Sequence, residues 1–308
     1  MPSRNRLSSR PMRPPRKALC CGAGALALGA ASLAQGALND IFPTDYVPLG
    51  AGTTVLTAYL YDRQSKGPYV AGEKTQPWTS NASIGVLRGS YFGDVLGVRT
   101  AGTATMTYAD QRLEGSGIPK SINKETGGWY DARFGLTAWP INDPVQRHYL
   151  AINATVMLPT GDYQRQRLQN IGENRHREAL SLAWIRGLGN NWTVEAIGEL
   201  TWFGDNTAYF PGARKREQAR SEALTTYLRY RWSNGLQAFS GYQWNSGGET
   251  RINGVAQNDP ARSQRAYLGL IYPVGQGHVL NLRLAKDIQV ENGFAIEREV
   301  ALRWLSYF

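Results

Sequence analysis

Apolar and polar residues alternate with a period of two along most of the chain, and no long helical period is present. In the segment 192–202, for example, Val194 and Trp202 fall on one face, while Glu195 and Glu199 fall on the other. This pattern predicts β-strands with one apolar and one polar face. A soluble sandwich would give the same alternation, so the alternation alone does not decide the architecture.

The spacing of turn-forming residues predicts twelve strands and a consistent asymmetry between their connections. The predicted strands are 53–61, 80–89, 95–109, 129–139, 147–158, 179–187, 192–203, 221–232, 236–245, 264–273, 278–286 and 294–308. The long polar connections are 64–77, 111–128, 159–178, 204–219 and 245–263, and the short ones are 92–94, 140–146, 187–191, 233–235 and 273–277. An even strand number with long loops on one side and short turns on the other predicts an all-β fold. The specific expectation is a transmembrane antiparallel β-barrel of about 12 strands in an up-and-down meander.

The first 37 residues have the layout of a secretory signal peptide. Six basic residues precede the apolar run 18–33, and small residues follow, which places cleavage between Ala34 and Ala37. The predicted domains are therefore a cleaved signal peptide, 1–37, and an outer-membrane barrel, 38–308. Removing the six basic residues lowers the net charge from +10 to +4, which argues against nucleic acid as a partner. Cys20 and Cys21 leave with the signal, so no disulfide framework is expected.

Aromatic residues are spread over the predicted strand ends rather than clustered. Trp and Tyr favour the headgroup depth of a membrane, so two girdles are expected around a barrel. The predicted membrane-interface residues are Trp129, Trp139, Trp184, Trp192, Trp202, Trp232, Trp244, Tyr272 and Trp304.

Charged residues of both signs occur in the middle of predicted strands. An Arg on the lipid face at mid-membrane would cost about 2–4 kcal/mol, so these side chains are expected to face the lumen. The predicted lumen-lining residues are Arg99, Asp131, Arg133, Glu195, Glu199, Arg229, Arg231, Arg265, Arg283, Glu297, Glu299 and Arg303. Some charged or ionisable residues break the alternation near predicted strand ends, where a long side chain reaches the interface. They are Arg88, His148, Arg186, Arg262, His278 and Arg298.

No catalytic, metal or cofactor motif is found in the sequence. The three histidines are far apart without a metal-ligand spacing, and there is no P-loop, dinucleotide fingerprint or G-x-S-x-G. Glu297 and Glu299 are about 7 Å apart on one strand face, a spacing that would suit glycoside hydrolysis. Pairing with inward arginines on neighbouring strands is the favoured role. No cofactor, no metal and no enzymatic activity are therefore expected.

Several short motifs carry a resemblance to a known family. The chain contains L-P-T-G-D-Y at 158–163, N-I-G-E-N-R at 170–175, F-G-D-N at 203–206 and G-G-E-T-R-I-N-G at 247–254. In this combination, which runs over nearly the whole mature chain, it resembles the outer-membrane family called "putative MetA-pathway of phenol degradation". His176 stands where many members place a Trp. The resemblance implies a barrel that passes hydrophobic, often aromatic, compounds across the outer membrane, and it brings no established catalytic or binding residues.

The first motif also has a direct physical reading. Proline cannot donate to the strand ladder, so Pro159 ends a strand as it leaves the membrane, and the residues that follow favour a turn. Tyr163 either folds back over the mouth of the lumen as part of a gate or is an ordinary residue of the rim.

The last strand, 294–308, ends in an aromatic residue. An amphipathic strand with a terminal Phe308 resembles the signal by which the barrel-assembly machinery recognises its clients, and this strand is expected to pair with the first. The expected partners are this machinery, outer-membrane lipids and lipopolysaccharide, and a small-molecule substrate, in the bacterial outer membrane.

Three functions remain open. The favoured one is a channel for small, hydrophobic or aromatic compounds. The others are an occluded barrel with a structural or surface-interaction role and an outer-membrane lipid hydrolase, although the His-x-Ser arrangement of the known twelve-stranded phospholipase is absent.

Overall fold

The computed structural model describes residues 40–308, so the predicted signal peptide, 1–37, lies outside the described residues. The described chain forms two β-sheets. The strands are β1 (Thr54–Val70), β2 (Glu73–Val95), β3 (Val98–Glu114), β4 (Glu125–Trp129), β5 (Arg133–Asp143), β6 (His148–Met157), β7 (Arg177–Leu188), β8 (Trp192–Phe203), β9 (Asn206–Tyr209), β10 (Arg214–Gln218), β11 (Ser221–Arg231), β12 (Gln237–Gly247), β13 (Thr250–Ile252), β14 (Val255–Ala256), β15 (Ser263–Pro273), β16 (His278–Val290) and β17 (Gly293–Tyr307). Within residues 40–308, no helix is long and apolar enough to cross a bilayer.

The large sheet closes on itself as an antiparallel barrel. Each strand pairs with its neighbours in chain order, and β1 pairs with β17 to close the seam. β4 and β5 both pair with β3 and together form one interrupted strand, so the barrel wall has twelve strands. The predicted all-β fold, with about 12 antiparallel strands in a meander, is confirmed.

The alternation of the sequence becomes an inner and an outer face. On β7, buried and exposed side chains alternate from Arg177 to Trp184, and Leu182 on the outer face is 54% exposed. Pairing of β1 with β17 closes the wall, so the first and last strands pair with each other and leave no open edge between them. The outer face is rich in Leu, Trp and Val, as contact with hydrocarbon requires.

The hairpin of β1 and β2 is longer than the sequence predicts. The predicted polar loop 64–77 lies mostly within these strands, which meet at a turn formed by Ala71 and Gly72. Gly67 and Pro68 sit at a register shift in the ladder, and such a bulge accommodates a proline that lacks an N–H donor. Turn-forming residues therefore mark a bulge here and not a strand end.

Two of the long loops build the small second sheet. β9 and β10 come from the connection between β8 and β11, whereas β13 and β14 come from the connection between β12 and β15. The pairing of β10 with β13 joins the two connections. The sequence predicts these segments only as polar loops.

Most of the predicted girdle residues lie on the outer face, near strand ends, with 37 to 52% of their surface exposed. These are Trp129, Trp184, Trp192, Trp202, Trp232, Trp244, Tyr272 and Trp304. Trp139 differs, because it points into the barrel, is 3% exposed and stacks on Phe92. It has the same parity as Arg133 on β5, so the alternation itself indicates an inward position.

Deleting Phe308 is expected to lower the yield of assembled barrels several-fold. Phe308 and Thr54 exchange two backbone hydrogen bonds, of 2.9 and 3.0 Å, at the seam between the first and last strands. Loss of this pair exposes backbone groups where the wall must be closed. The measurement is the fraction of protein in outer membranes that resists unfolding by SDS without heating. Phe308→Tyr is the matched control, and equal yields for the deletion and the wild type would remove the assembly role.

Candidate functional site

The segment 40–49, Asp-Ile-Phe-Pro-Thr-Asp-Tyr-Val-Pro-Leu, lies inside the barrel before the first strand begins. We call it the plug. Phe42 is fully buried, and Ile41 and Tyr46 are nearly so. Consecutive turns shape the plug: the Asp45 carboxylate accepts a hydrogen bond of 2.9 Å from the Phe42 N–H, and the Val47 N–H donates to the Thr44 carbonyl at 3.0 Å.

Side chains of the wall hold the plug through its backbone. The Tyr227 hydroxyl donates to the Ile41 carbonyl at 2.7 Å, and the Trp139 indole N–H donates to the Tyr46 carbonyl at 2.8 Å. In the reverse direction, the plug donates to the wall: the Thr44 N–H donates a hydrogen bond of 3.2 Å to the Glu195 carboxylate. Arg99 donates to the Leu49 carbonyl at the lower end of the plug. Groups from four different strands therefore converge on the ten residues of the plug.

Ion pairs between plug and wall reinforce these contacts. Asp40 contacts Arg283 at 2.8 Å, and Asp45 pairs with Arg303 and lies 3.6 Å from Arg88. Arg283 and Arg303 are almost completely buried, and their guanidinium groups also donate to the carbonyls of Ile41, at 3.2 Å, and Pro43, at 3.1 Å. Buried charges that are paired and hydrogen-bonded hold their geometry, whereas unpaired ones are costly.

The wall also pairs its own charges. Glu299 accepts hydrogen bonds from Arg63, at 2.7 Å, and from Arg283, at 2.9 Å. Arg229 donates to Glu195 at 2.5 Å, and Arg265 pairs with Asp287 at 2.7 Å. Side chains of the barrel interior thus form a network rather than a water-filled lining.

The structure places most of the predicted lumen-lining residues in this interior. The side chains that contact the plug, line the cavity beside it or belong to the interior network are those of Arg99, Arg133, Glu195, Glu199, Arg229, Arg265, Arg283, Glu299 and Arg303. Glu199 accepts from the hydroxyls of Ser181 and Thr201, both at 3.2 Å.

Three predicted lumen-lining residues and Arg88 have other positions. Glu297 sits at a register shift on β17, so the alternation reverses there and its carboxylate pairs with the exposed Lys66 and Lys286. Arg231 has the inward parity, but it is exposed because β11 ends at that residue. Asp131 lies in the break between β4 and β5 and binds a long loop, as described below. Conversely, Arg88 was expected near the interface, yet it lies in the interior beside Asp45.

Sequence reasoning missed the plug because its residues show no strand periodicity. It also did not identify Arg63, Tyr59 and Tyr61 on β1, which lie at or near the plug. One signal was available: the predicted lumen set contains seven arginines and five acids, an excess of cations that calls for further acidic partners. Asp40 and Asp45 supply two of them.

A polar cavity of about 60 Å³ remains between the plug and strands β3, β5 and β6. Its lining includes Thr103, Thr105, Thr137, Asn153 and Arg133. A space of this volume accepts water molecules but no aromatic solute. This cavity is therefore too small for the compounds that the resemblance implies.

The motif residues form a second cluster at the long-loop end of the barrel. The Asp131 carboxylate accepts from the backbone N–H groups of Gly161, at 2.8 Å, and Glu173, at 2.6 Å. A Cβ added to Gly161 would lie 2.7 Å from the Trp129 carbonyl, so this approach requires glycine. Asp162 in turn accepts from the Trp129 N–H at 2.7 Å. The L-P-T-G-D-Y motif thus fastens the loop 158–176 to the break between β4 and β5.

We call this second cluster, formed by Asp131, Gly161, Asp162 and Glu173, the clasp. Glu173 lies at its centre. It accepts from the Tyr130 hydroxyl at 2.7 Å, from Arg175 at 2.6 Å and from Arg177 at 2.8 Å. Burial alone would raise the pKa of Glu173, but the charges of Arg177 and Arg175 outweigh it and hold that pKa well below its usual range. Burial, together with the nearby charge of Arg216, lowers the pKa of Arg175 to about 10.

The remaining motif residues join the connection between β8 and β11 to the clasp. Asn206 donates to the Tyr163 hydroxyl and to the Glu173 carbonyl, both at 3.0 Å, and the Tyr163 hydroxyl donates to the Ala208 carbonyl at 3.1 Å. His176, which replaces the Trp of many members, packs against Gly204, where an added Cβ would lie 2.7 Å from its ring. The motifs that carry the resemblance therefore order the loops at the mouth.

Metal and hydrolytic sites receive little support from the geometry. Among residues 40–308, no group of three or more His, Cys, Asp or Glu side chains is arranged to hold a metal ion. His278 and Ser306 face each other across β16 and β17, with 3.1 Å between the ring Nδ1 and the hydroxyl oxygen. The same hydroxyl accepts the Trp304 indole N–H at 3.0 Å, and the His278 ring packs on that indole. This arrangement suits an interfacial aromatic cluster, since no carboxylate is among the described contacts of His278.

Comparisons with known proteins agree with the motifs. A solved structure, the COG4313 outer membrane channel from Pseudomonas putida F1, is 24% identical with a TM-score of 0.83, and the match covers 87% of this chain and 100% of that one. The β domain of the Bordetella autotransporter BrkA is 14% identical with a TM-score of 0.50, covering 84% and 100%. No curated protein matches the chain. The family model described as "Putative MetA-pathway of phenol degradation" matches residues 62–303, and the chain therefore belongs to that family.

Proposed function

We propose that the protein is an outer-membrane channel for small, hydrophobic or aromatic compounds, which the plug closes from within. The observation that carries this proposal is the way in which the lumen is filled. A segment of ten residues, which the chain connects to the first strand through residues 50–53, fills the space that a rigid occluded barrel would fill with side chains of its own strands. Such a segment can leave without breaking the ladder of the barrel.

The width of the barrel supports a channel. Eight strands enclose a space just wide enough for side chains, and sixteen or more leave an aqueous pore. With twelve strands, the wall requires additional filling, which the plug supplies. The fold of the P. putida channel and the family's association with phenol degradation agree with this reading. Lipids and lipopolysaccharide of the outer membrane and the barrel-assembly machinery are the partners that such a barrel would require.

A barrel that stays permanently occluded is the second candidate, because Phe42 and its arginine partners are so completely buried. Uptake into outer-membrane vesicles separates the two. Vesicles from a porin-deficient strain, with and without the protein, are compared for the initial uptake of a radiolabelled small phenol. A channel is expected to raise this rate several-fold while leaving the entry of a charged disaccharide unchanged.

The control for this experiment is Val145→Ala, an exposed residue in a short turn far from the plug in the chain. It is expected to behave as the wild type does. Equal phenol uptake with and without the protein would favour the structural role instead.

A further inference from the structure

The plug places one aromatic ring in a site built from two cations and two tyrosines. The ring centroid of Phe42 lies 4.0 Å from the guanidinium carbon of Arg283 and 4.6 Å from that of Arg303. Tyr59 and Tyr61 meet the same ring edge-on, with centroid distances of 5.5 and 6.4 Å. We call these four wall residues the ring cage. Guanidinium groups over an aromatic face are attractive, most strongly when water is excluded.

The plug also brings anions to the same cage. Asp45 pairs with Arg303, and Asp40 contacts Arg283 at 2.8 Å, so a carboxylate stands on each side of the Phe42 ring. The plug therefore presents the cage with the two chemical features of an aromatic acid, a ring and a carboxylate.

The wall alone leaves these cations poorly balanced. Glu299 is shared between Arg283 and Arg63. The hydrogen bonds that Arg303 makes to plug groups involve Asp45, the Pro43 carbonyl and the Thr44 hydroxyl. On the wall, Arg303 faces the neutral side chains of Asn281 and Tyr59. The Nε atom of Arg283 is buried without a hydrogen-bond partner even when the plug is in place. A buried guanidinium that loses its carboxylate is costly, so the empty cage requires a new anion.

We infer that the ring cage is a binding site for aromatic carboxylates, which compete with the plug for it. The ring of the ligand takes the place of Phe42 between the two arginines, and its carboxylate takes the place of Asp45 at Arg303. This inference rests on the proposed function only in that the ligand must enter the lumen. It names a narrower substrate class, because a neutral aromatic compound leaves Arg303 unpaired and an aliphatic acid lacks a ring for the two guanidinium faces.

The Phe42→Ala variant of the full chain tests this directly, since it removes the ring from the cage and leaves all four cage residues in place. Asp45 then remains as the plug group that the ligand carboxylate must displace from Arg303. Binding of benzoate, cyclohexanecarboxylate and benzyl alcohol is measured by titration calorimetry on the purified protein in detergent. Benzoate is expected to bind at least about tenfold more tightly than either of the other two. The wild type, in which Phe42 still fills the cage, is expected to bind benzoate more weakly than the variant does.

Matched arginine variants identify the cation. In the Phe42→Ala background, Arg303→Gln is expected to abolish the preference for benzoate over benzyl alcohol. Arg298→Gln, on the same strand but exposed and paired with Asp62 at 2.9 Å, is expected to leave that preference unchanged. Equal affinities for benzoate and benzyl alcohol, or a preference that survives Arg303→Gln in a folded barrel, would overturn the inference.

A second measurement does not depend on an emptied cage. The two cysteines of the chain, Cys20 and Cys21, precede the described residues, so Ile41→Cys places a single thiol in the plug of the barrel domain. Benzoate is expected to accelerate modification of this thiol several-fold, and benzyl alcohol is not. If benzoate did not accelerate modification of the thiol, its competition with the plug would be refuted. Phenol uptake that persists alongside such a result would leave the proposed channel standing, whereas benzoate binding without phenol uptake would refute the channel alone.

Discussion

Deleting residues 40–48 is expected to turn a barrel that conducts almost no ions into one with stable single-channel steps, raising the conductance at least about tenfold. The plug is the main obstacle that the structure places in the lumen, and the cavity beside it is only about 60 Å³. Its removal withdraws Phe42, Tyr46 and two carboxylates from the interior. The guanidinium groups of Arg283 and Arg303 then become hydrated.

The measurement is single-channel recording in planar bilayers with the wild type and the deletion in parallel. Resistance to SDS unfolding without heating verifies that each preparation contains closed barrels. Asp45→Asn provides a milder change, because it weakens the pairs with Arg303 and Arg88 without shortening the chain, and it is expected to produce brief openings. A folded deletion variant with the conductance of the wild type would show that the plug does not close the pore.

Glu299→Gln is expected to destabilise the barrel by about 3–5 kcal/mol, because it leaves two buried guanidinium groups with a neutral partner. Glu299 is 1% exposed and receives hydrogen bonds from Arg63, at 2.7 Å, and Arg283, at 2.9 Å. Asp40 of the plug remains for Arg283, whereas the ion pair between Arg63 and Glu299 is lost. The free energy of unfolding is measured by guanidinium chloride titration in lipid vesicles.

Glu297→Gln is the matched control, since it makes the same chemical change two residues away on the same strand. Its carboxylate is exposed and pairs with Lys66 at 3.8 Å and Lys286 at 3.1 Å, so its loss is expected to cost less than about 1 kcal/mol. If the two variants were equally stable, the interior network around Glu299 would contribute no more than surface pairs do.

The architecture could be predicted from the sequence because its determinants are local and periodic. On β8 and β11 the alternation is unbroken, and the predicted ends agree with the observed ones to within one residue. β1 and β2 were predicted too short, because their upper parts rise above the apolar band and have no need of an apolar face. Gly67 and Pro68, taken as the start of a loop, mark a bulge within a continuing hairpin.

The candidate site could be predicted only in part. Parity alone placed Arg283, Glu299 and Arg303 on the inner face, and it would also have placed Trp139 there. Parity fails wherever an extra residue enters a strand, as it does near Glu297. The plug could not be predicted for a different reason. Its residues show no periodic alternation of apolar and polar positions, and its partners lie on strands that are distant in the chain. The position of the plug depends on which inward arginines lie close together in the folded barrel, and the sequence does not show this.

The distance along the chain between the plug and its partners bears on the order in which the protein is built. Ile41 contacts Arg283 at a separation of 242 residues, and Pro43 contacts Arg303 at a separation of 260. These partners lie on the last two strands, β16 and β17, which are also the strands that complete the wall. The ring cage therefore exists only once the seam forms. The two strands that close the wall are thus also the strands that hold the plug in the pore.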